Sequence, residues 1–302
     1  MVELVRRDFV DPAVLARLRA LPLCARVPVT GTVTGRHRSP HRGSSVEFSE
    51  YREYVPGDDP RRLDWRAYAR SDRFYVKEFE AETNLRLRIV VDASGSMDFR
   101  AEERSRLDTA RRIAAALAYL ALSQGDAVGL GILAEDGVHE IPARRNPAHL
   151  AVIFEALAGI RPRGETRLAA GLHEVAEKIP RRGVVAIISD LFVDPEELRG
   201  CFQHLRFRRH DVAVFQLLDP LEIDFDLPSW MRFVDLEGGA PLVADPPAIA
   251  RRYREAFARH AERVRGAVRE AAVDYHRVRL DEPYEAALAR FLLGRAPKGP
   301  AR

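Results

Sequence analysis

Residues Leu85–Phe99 read LRLRIVVDASGSMDF, and the reading of this stretch decides the fold. A short apolar run, Ile89-Val90-Val91, stops at Asp92, and Ser94 and Ser96 follow at alternate positions. A buried strand that delivers one acid and two hydroxyls into a glycine-containing loop is a cation site in outline. In an extended loop, alternate spacing sends Asp92, Ser94 and Ser96 toward one side.

Downstream, apolar strands and helical patterns alternate. Arg104 to Leu122 is predicted as a helix with Ala, Leu and Ile on its buried side, and Ala127 to Leu133 as a strand. Val138 to Pro142 reads as a short edge strand after the Asp136-Gly137 turn. Helices are expected over Pro147 to Ile160, Arg167 to Ile179 and Pro195 to Phe207, with strands over Val184 to Ile188 and Val212 to Leu218. A hairpin from Arg232 to Ala244, turning at Gly238-Gly239, precedes a long amphipathic helix, Pro247 to Ala272. A strand, Tyr275 to Leu280, and a helix, Tyr284 to Leu293, follow. Strands that are apolar throughout and separated by helices indicate a three-layer α/β fold, a doubly wound and mostly parallel sheet.

In such a sheet, ligands bind beyond the carboxyl ends of the strands, where strand order reverses. Two strands end in acids at that edge, Val91 before Asp92 and Ile188 before Ser189-Asp190. Gly164-Glu165-Thr166 lies between them, just ahead of a helix. If the two strands are neighbours, Asp92, Ser94, Ser96, Thr166 and Asp190 converge. An all-oxygen set suits a hard divalent cation such as Mg2+, with Mn2+ as a substitute. Three hydroxyls and only two carboxylates neutralise such an ion weakly, leaving it able to accept an anionic ligand from a partner's Glu or Asp.

Composition narrows the class. The 302 residues, 46% hydrophobic and 31% charged, match a water-exposed globular protein. The longest apolar run, Ile113 to Leu122, is far short of the ~18 residues of a membrane span. The opening MVELVRRDFVDP has acids and a proline where a signal peptide has an apolar core, so a cytoplasmic location is expected. Cys24 and Cys201 are the only cysteines and form no CxxC pair. Net charge is only +3 despite a pI near 9.0, and most of the positive charge is arginine, which in such a balance makes ion pairs. The one locally basic stretch, Gly35 to Gly43 (GRHRSPHRG), lacks the interleaved aromatics of a nucleic-acid groove and reads as a solvated loop.

Asp11 to Leu21 carries a helix signal, with an Asp cap followed by Pro, and Val27 to Thr34 suggests a short strand. Glu47 to Glu82 then packs Tyr51, Tyr54, Trp65, Tyr68, Phe74, Tyr75 and Phe79 among alternating acids and arginines. Two readings stay open for Arg52, Asp58, Asp59, Arg62, Asp64 and Trp65. They either dock this segment on a neighbouring domain through satisfied ion pairs, or they contact a partner.

DASGSM, the threonine of GETRLAAGL and the aspartate of IISDLF resemble the metal-ion-dependent adhesion site of von Willebrand factor A domains. By that resemblance Ser94, Ser96 and Thr166 coordinate the ion, while Asp92 and Asp190 act directly or through water. SEYREYVPGDDPRRLDWRAYARSDRFYVKEFE, LLDPLEIDF and VRLDEPYEAALARFL resemble the bacterial family known as domain of unknown function fifty-eight. That resemblance implies work alongside a MoxR-type AAA+ ATPase in chaperone-like remodelling or activation of a client protein. Many relatives begin with two membrane spans, and this chain looks like the short form without them.

The expected organisation is a family-specific segment over 1–83, a von Willebrand A-like domain over 84–282, and a C-terminal helix and tail over 283–302. The expected role is noncatalytic. SGSM is not a GxSxG elbow, no phosphate-binding glycine loop occurs, and His173-Glu174 is followed by Glu177 where a zinc-protease helix needs histidine. The rival readings are a nucleic-acid-binding module and an A-domain protein whose ion is purely structural.

Overall fold

The computed structural model describes residues 7–25, 47–53, 64–71, 73–80, 85–100, 104–179 and 182–295. The expected strand at Val27 to Thr34 and the basic stretch at Gly35 to Gly43 lie outside them. In chain order the elements are α1 (Pro12–Leu18), β1 (Glu47–Glu53), α2 (Trp65–Ser71), β2 (Tyr75–Glu80), β3 (Arg86–Asp92), α3 (Arg106–Ser123), β4 (Ala127–Ala134), β5 (Gly137–Arg144), α4 (His149–Gly159) and α5 (Leu168–Lys178). They continue with β6 (Val184–Ser189), α6 (Pro195–Phe207), β7 (Asp211–Leu218), α7 (Pro220–Asp224), β8 (Met231–Phe233), β9 (Leu242–Ala244), α8 (Pro246–Glu270), β10 (Asp274–Arg279) and α9 (Tyr284–Arg295).

Six strands form one sheet in the order β10-β7-β6-β3-β4-β5. All neighbours are parallel except β4 and β5, which are antiparallel. This is the doubly wound, mostly parallel sheet that the strand pattern predicts. After β3 the chain moves outward through β4 to β5, then returns to the other side of β3 and moves outward again through β6, β7 and β10. The reversal therefore falls between β3 and β6, whose carboxyl ends bring Asp92 and Ser189-Asp190 side by side.

Strand alternation divides the core into two. Leu87, Ile89 and Val91 of β3 face one layer, with α1, α3, α4 and α9. Val90 faces the other layer, with α5, α6 and α8. Arg88 is buried, and β5 satisfies its guanidinium, which donates to the Ile141 carbonyl at 3.0 Å and pairs with Glu140 at 2.6 Å. Helix α3 is largely buried, and apolar from Ile113 to Leu122, because α1, α4 and α9 enclose it from outside the sheet. A capping box between Ser105 and Asp108 starts it.

The aromatic block yields elements that turn signals alone do not show. β1 and β2 pair antiparallel around α2, from Glu47↔Glu80 to Glu53↔Tyr75. Asp64 is buried, and its Oδ1 accepts the Ala67 amide at 3.2 Å, so it starts α2. Trp65 is exposed and meets Tyr68 edge-on, and Tyr68 stacks on Phe74 with centroids 4.4 Å apart. Of Arg52 the backbone is described, in β1; Asp58, Asp59 and Arg62 lie outside the described residues.

Helix α9 is locked by Arg295. Its fully buried guanidinium donates to both carboxylate oxygens of Asp211, at 2.8 and 3.1 Å, and to Asp274 at 3.0 Å, and it lies over the Phe291 ring. The C-terminal helix is thus tied to the first residues of β7 and β10. Removing one partner of a buried ion pair strands the charges it held. Arg295→Met is expected to lower the free energy of unfolding by about 3–5 kcal/mol, read as a lower urea midpoint; an unchanged midpoint would show that Arg295 holds nothing.

Candidate metal centre

The centre forms where β3 stops. The Ala93 amide donates to the Leu133 carbonyl at 2.8 Å, and the Ser94 amide turns back to Asp92 Oδ1 at 3.0 Å. From Gly95 to Asp98 the chain winds into a single 3-10 turn. The expected extended loop with alternating side chains is therefore corrected: only Ser94 is extended, and Ser96 already lies on the turn. The hydroxyls still meet, with Ser94 Oγ 2.9 Å from Ser96 Oγ, because the tight turn brings residue 96 back over residue 94.

A second loop is fastened to the first by its backbone. The Gly95 amide donates to the Gly164 carbonyl at 2.8 Å and the Arg163 amide to the Ala93 carbonyl at 3.2 Å. Gly164 has φ +61, which a glycine adopts without strain. Thr166 consequently reaches the first loop, its Oγ1 donating to Asp92 Oδ1 at 3.0 Å. From β6, Ser189 Oγ donates to Asp92 Oδ2 at 2.7 Å.

Asp190 is brought to the same edge but is held differently. Its Oδ2 accepts Arg106 Nη1 at 2.9 Å, its Oδ1 accepts the Phe192 amide at 3.2 Å, and its carbonyl accepts Gln216 Nε2 at 2.9 Å. Arg106 also donates to the Ser96 carbonyl at 2.7 Å and pairs with Glu222 of α7. Burial opposes the charge on Arg106, but Asp190 and Glu222 outweigh it and raise its pKa.

All five residues expected at the site thus gather. Asp92, Ser94, Ser96 and Thr166 form one hydrogen-bonded cluster, and Asp190 joins through Arg106. Sequence reasoning missed Ser189, Arg106 and Glu237. Ser189 precedes the aspartate of IISDLF and is the first hydroxyl after the apolar run, which is a usable signal. Arg106 lies in a helix among other arginines, and nothing local distinguishes it. Glu237, at the tip of the β8–β9 hairpin, accepts the Ser96 amide through Oε1 at 3.4 Å. The hairpin is anchored at the end of β8 by Phe233, which stacks on Phe225, which stacks on Tyr253 of α8.

Electrostatics set Asp92 apart. It is 3% exposed, and burial first, then the Asp190 charge, push its carboxyl up to about 6 against the pull of Ser189, Ser94 and Thr166. Among the described residues, none of the groups that donate to Asp92 carries a charge. A buried carboxylate held only by neutral donors, with oxygens from three hydroxyls beside it, fits a hard divalent cation. No group of three or more His, Cys, Asp or Glu side chains is placed to hold a metal among the described residues, so an ion here must draw on the hydroxyls. Ser94, Ser96, Thr166 and Asp92 are the residues that would hold it. A cleft bordered by Glu135, Thr166, Arg167 and Glu237 opens beside them.

A family model described as protein of unknown function DUF58 matches residues 50–267. Two relatives, uncharacterized protein Mb1516 of Mycobacterium bovis and uncharacterized protein Rv1480 of Mycobacterium tuberculosis, are each 30% identical over 300 residues, covering 97% of this chain and 93% of theirs. Among solved structures, the conserved hypothetical protein BatB from Bacteroides thetaiotaomicron is similar over 71% of this chain and 100% of its own, with a TM-score of 0.50 and 16% identity, a likeness of fold alone. The von Willebrand A domain of SpRpn10 is a more distant likeness, at TM-score 0.37 and 11% identity over 71% of this chain and 96% of its own.

The Asp92 environment generates a pH dependence. The folded-state pKa lies above the ~4 of an unfolded aspartate, so folding favours the protonated form. That contribution is fully present below pH ~4 and is lost as pH rises through about 6. In chelator-treated protein, Asp92→Asn should be more stable than wild type above pH ~6, by up to about 3 kcal/mol, and the gap should close toward pH ~4. Parallel urea titrations across that range measure it; a gap independent of pH would refute this account of Asp92.

Proposed function

Because this chain belongs to the DUF58 family and its central sheet is of the von Willebrand A type, we propose that it is a noncatalytic, metal-dependent protein-interaction module. The observation that carries the reading is the buried Asp92 carboxylate at the strand-order reversal, bonded only to neutral donors and bordered by Ser94, Ser96 and Thr166. A divalent cation such as Mg2+ or Mn2+, when bound, supplies a Lewis-acidic position for an anionic oxygen.

The chain's own residues prepare that position. Asp92 is oriented by three donors, two hydroxyls and one amide, so its carboxylate plane does not rotate. Ser94 and Ser96 present their hydroxyls from a turn that the Gly164 carbonyl fastens to the Thr166 loop. Arg106 pairs with Asp190, which leaves Asp92 as the carboxylate of the cluster held by neutral donors and free to face an ion. Such an ion takes up one further carboxylate, and the partner is expected to offer Glu or Asp. By the family resemblance that partner is a MoxR-type AAA+ ATPase, and the joint task is chaperone-like remodelling or activation of a client.

Hydroxyl nucleophile chemistry finds no support in the same geometry. Ser94 and Ser96 bond to each other, and among the described residues no histidine donates to or accepts from either. No helix among the described residues is long and apolar enough to cross a membrane.

The test is direct. Mg2+ should raise the thermal midpoint of wild type by a few degrees, as any ligand selective for the folded state does, and leave Asp92→Ala unmoved. Capture of a purified MoxR-type ATPase by the immobilised chain should be lost with EDTA and with Asp92→Ala. Capture that survives both would overturn the proposal. Ser96→Ala separates docking from structure: lowered thermal stability with undiminished capture would mean that the ion only holds the loops.

A further inference from the structure

We infer that Glu237 is an intramolecular carboxylate ligand of the metal centre, occupying the position that a partner's acid must take. The inference rests on the metal-docking reading and deepens it, since it states what fills the open position when no partner is bound.

Three independent features place Glu237 there. The first is its carboxylate, whose Oε1 accepts the Ser96 amide at 3.4 Å, putting an anionic oxygen on the turn that presents the Ser94 and Ser96 hydroxyls. The second is the backbone of the hairpin tip, which rests on the same turn. A Cβ at Gly95 would stand 2.1 Å from the Leu236 carbonyl oxygen, so glycine at 95 is what allows the tip to approach this closely. The third is the shape of the tip. The Glu237 amide donates to Asp235 Oδ1 at 2.8 Å, Gly238 has φ +100, and a Cβ at Gly239 would collide with Asp235 Oδ2 at 2.1 Å. The turn is therefore held in the conformation that delivers residue 237 to the site.

The hairpin that carries Glu237 is built to come away. Its strands are three residues each and pair only with one another, and a hairpin of that size is marginal by itself. It is anchored where the tip loop leaves β8, by the Phe233–Phe225–Tyr253 stack, while Val234, Leu236, Leu242 and Val243 are exposed. Lifting the tip uncovers little apolar surface. A carboxylate tethered this way competes as if present at roughly millimolar concentration. A partner's single carboxylate therefore gains the site only when its other contacts also favour the lifted hairpin.

Calorimetric titration of the full chain with Mn2+ alone, joined to hydrogen exchange with and without Mg2+, tests this. Glu237→Gln keeps the size of the side chain and removes its charge on an exposed turn. It should bind Mn2+ about 10-fold more weakly than wild type, because one charged ligand is gone. Mg2+ should slow exchange over 93–97 in both proteins, but over 235–239 in wild type alone. Equal Mn2+ affinity in the two proteins, with exchange over 235–239 indifferent to Mg2+, would overturn the inference and leave the metal centre standing. Wild type that binds no Mn2+, or Asp92→Asn that binds it equally well, would overturn the metal reading itself and this inference with it.

Discussion

A carboxylate that is buried with no charged donor is the constraint around which this site is arranged. Asp92 sits at the end of the central strand, under loops from β3 and from the segment ahead of α5, and beside the end of β6. Leaving it there as an anion costs free energy, and the molecule meets the cost in two ways. Neutral hydrogen bonds from Ser189, Thr166 and the Ser94 amide partly satisfy its oxygens, and the neighbouring Asp190 is paired with Arg106. The result is one carboxylate paired with an arginine and one, among the described residues, held by neutral donors alone.

The rest of the fold serves to place those few atoms. Parallel pairing of β3 with β6 puts their carboxyl ends at the same height, and the reversal of strand order keeps crossover helices from covering the gap. Helix α3, enclosed by α1, α4 and α9, holds Arg106 in its first turn directly beneath the site. Short helix α7 then supplies Glu222, so one guanidinium joins α3, the β3 loop, β6 and α7. The same connection from β7 through α7 and Phe225 leads into the hairpin whose tip returns to Gly95. The loop after Asp92, the arginine and the hairpin are therefore linked through direct contacts.

Much of this was legible in the residues. β6 is apolar through both faces, as are Ile89-Val90-Val91 of β3 and Val212 to Phe215 of β7, and only a sheet covered on both sides accepts such strands. Pro195 at the start of its helix and the Gly238-Gly239 turn marked element boundaries where they occur, whereas the helix expected from Arg104 begins at Arg106, after the Ser105 cap. The pairing of β1 with β2 was not legible, because strands of alternating aromatic and charged residues mimic an irregular surface segment. The geometry after Asp92 was misjudged for a related reason: DASGS is compatible with an extended or a wound loop, and the choice is made by Gly164, whose carbonyl captures the Gly95 amide from another part of the chain.

By itself the sequence determined the fold class, the alternation of strands and helices from Leu85 onward, and the five oxygen-bearing residues at two strand ends and one loop. It could do so because hydrophobic periodicity and caps are local properties, and because ligands at strand ends follow from the topology. Only the tertiary structure decided which charges near the site are already spent and which remain. Arg106 meets Asp190 across 84 positions and Glu237 meets Ser96 across 141, and no local pattern encodes contacts at that separation. Those two contacts arise from packing, and they separate a list of possible ligands from a centre with one uncompensated carboxylate and one acid already resting on its rim.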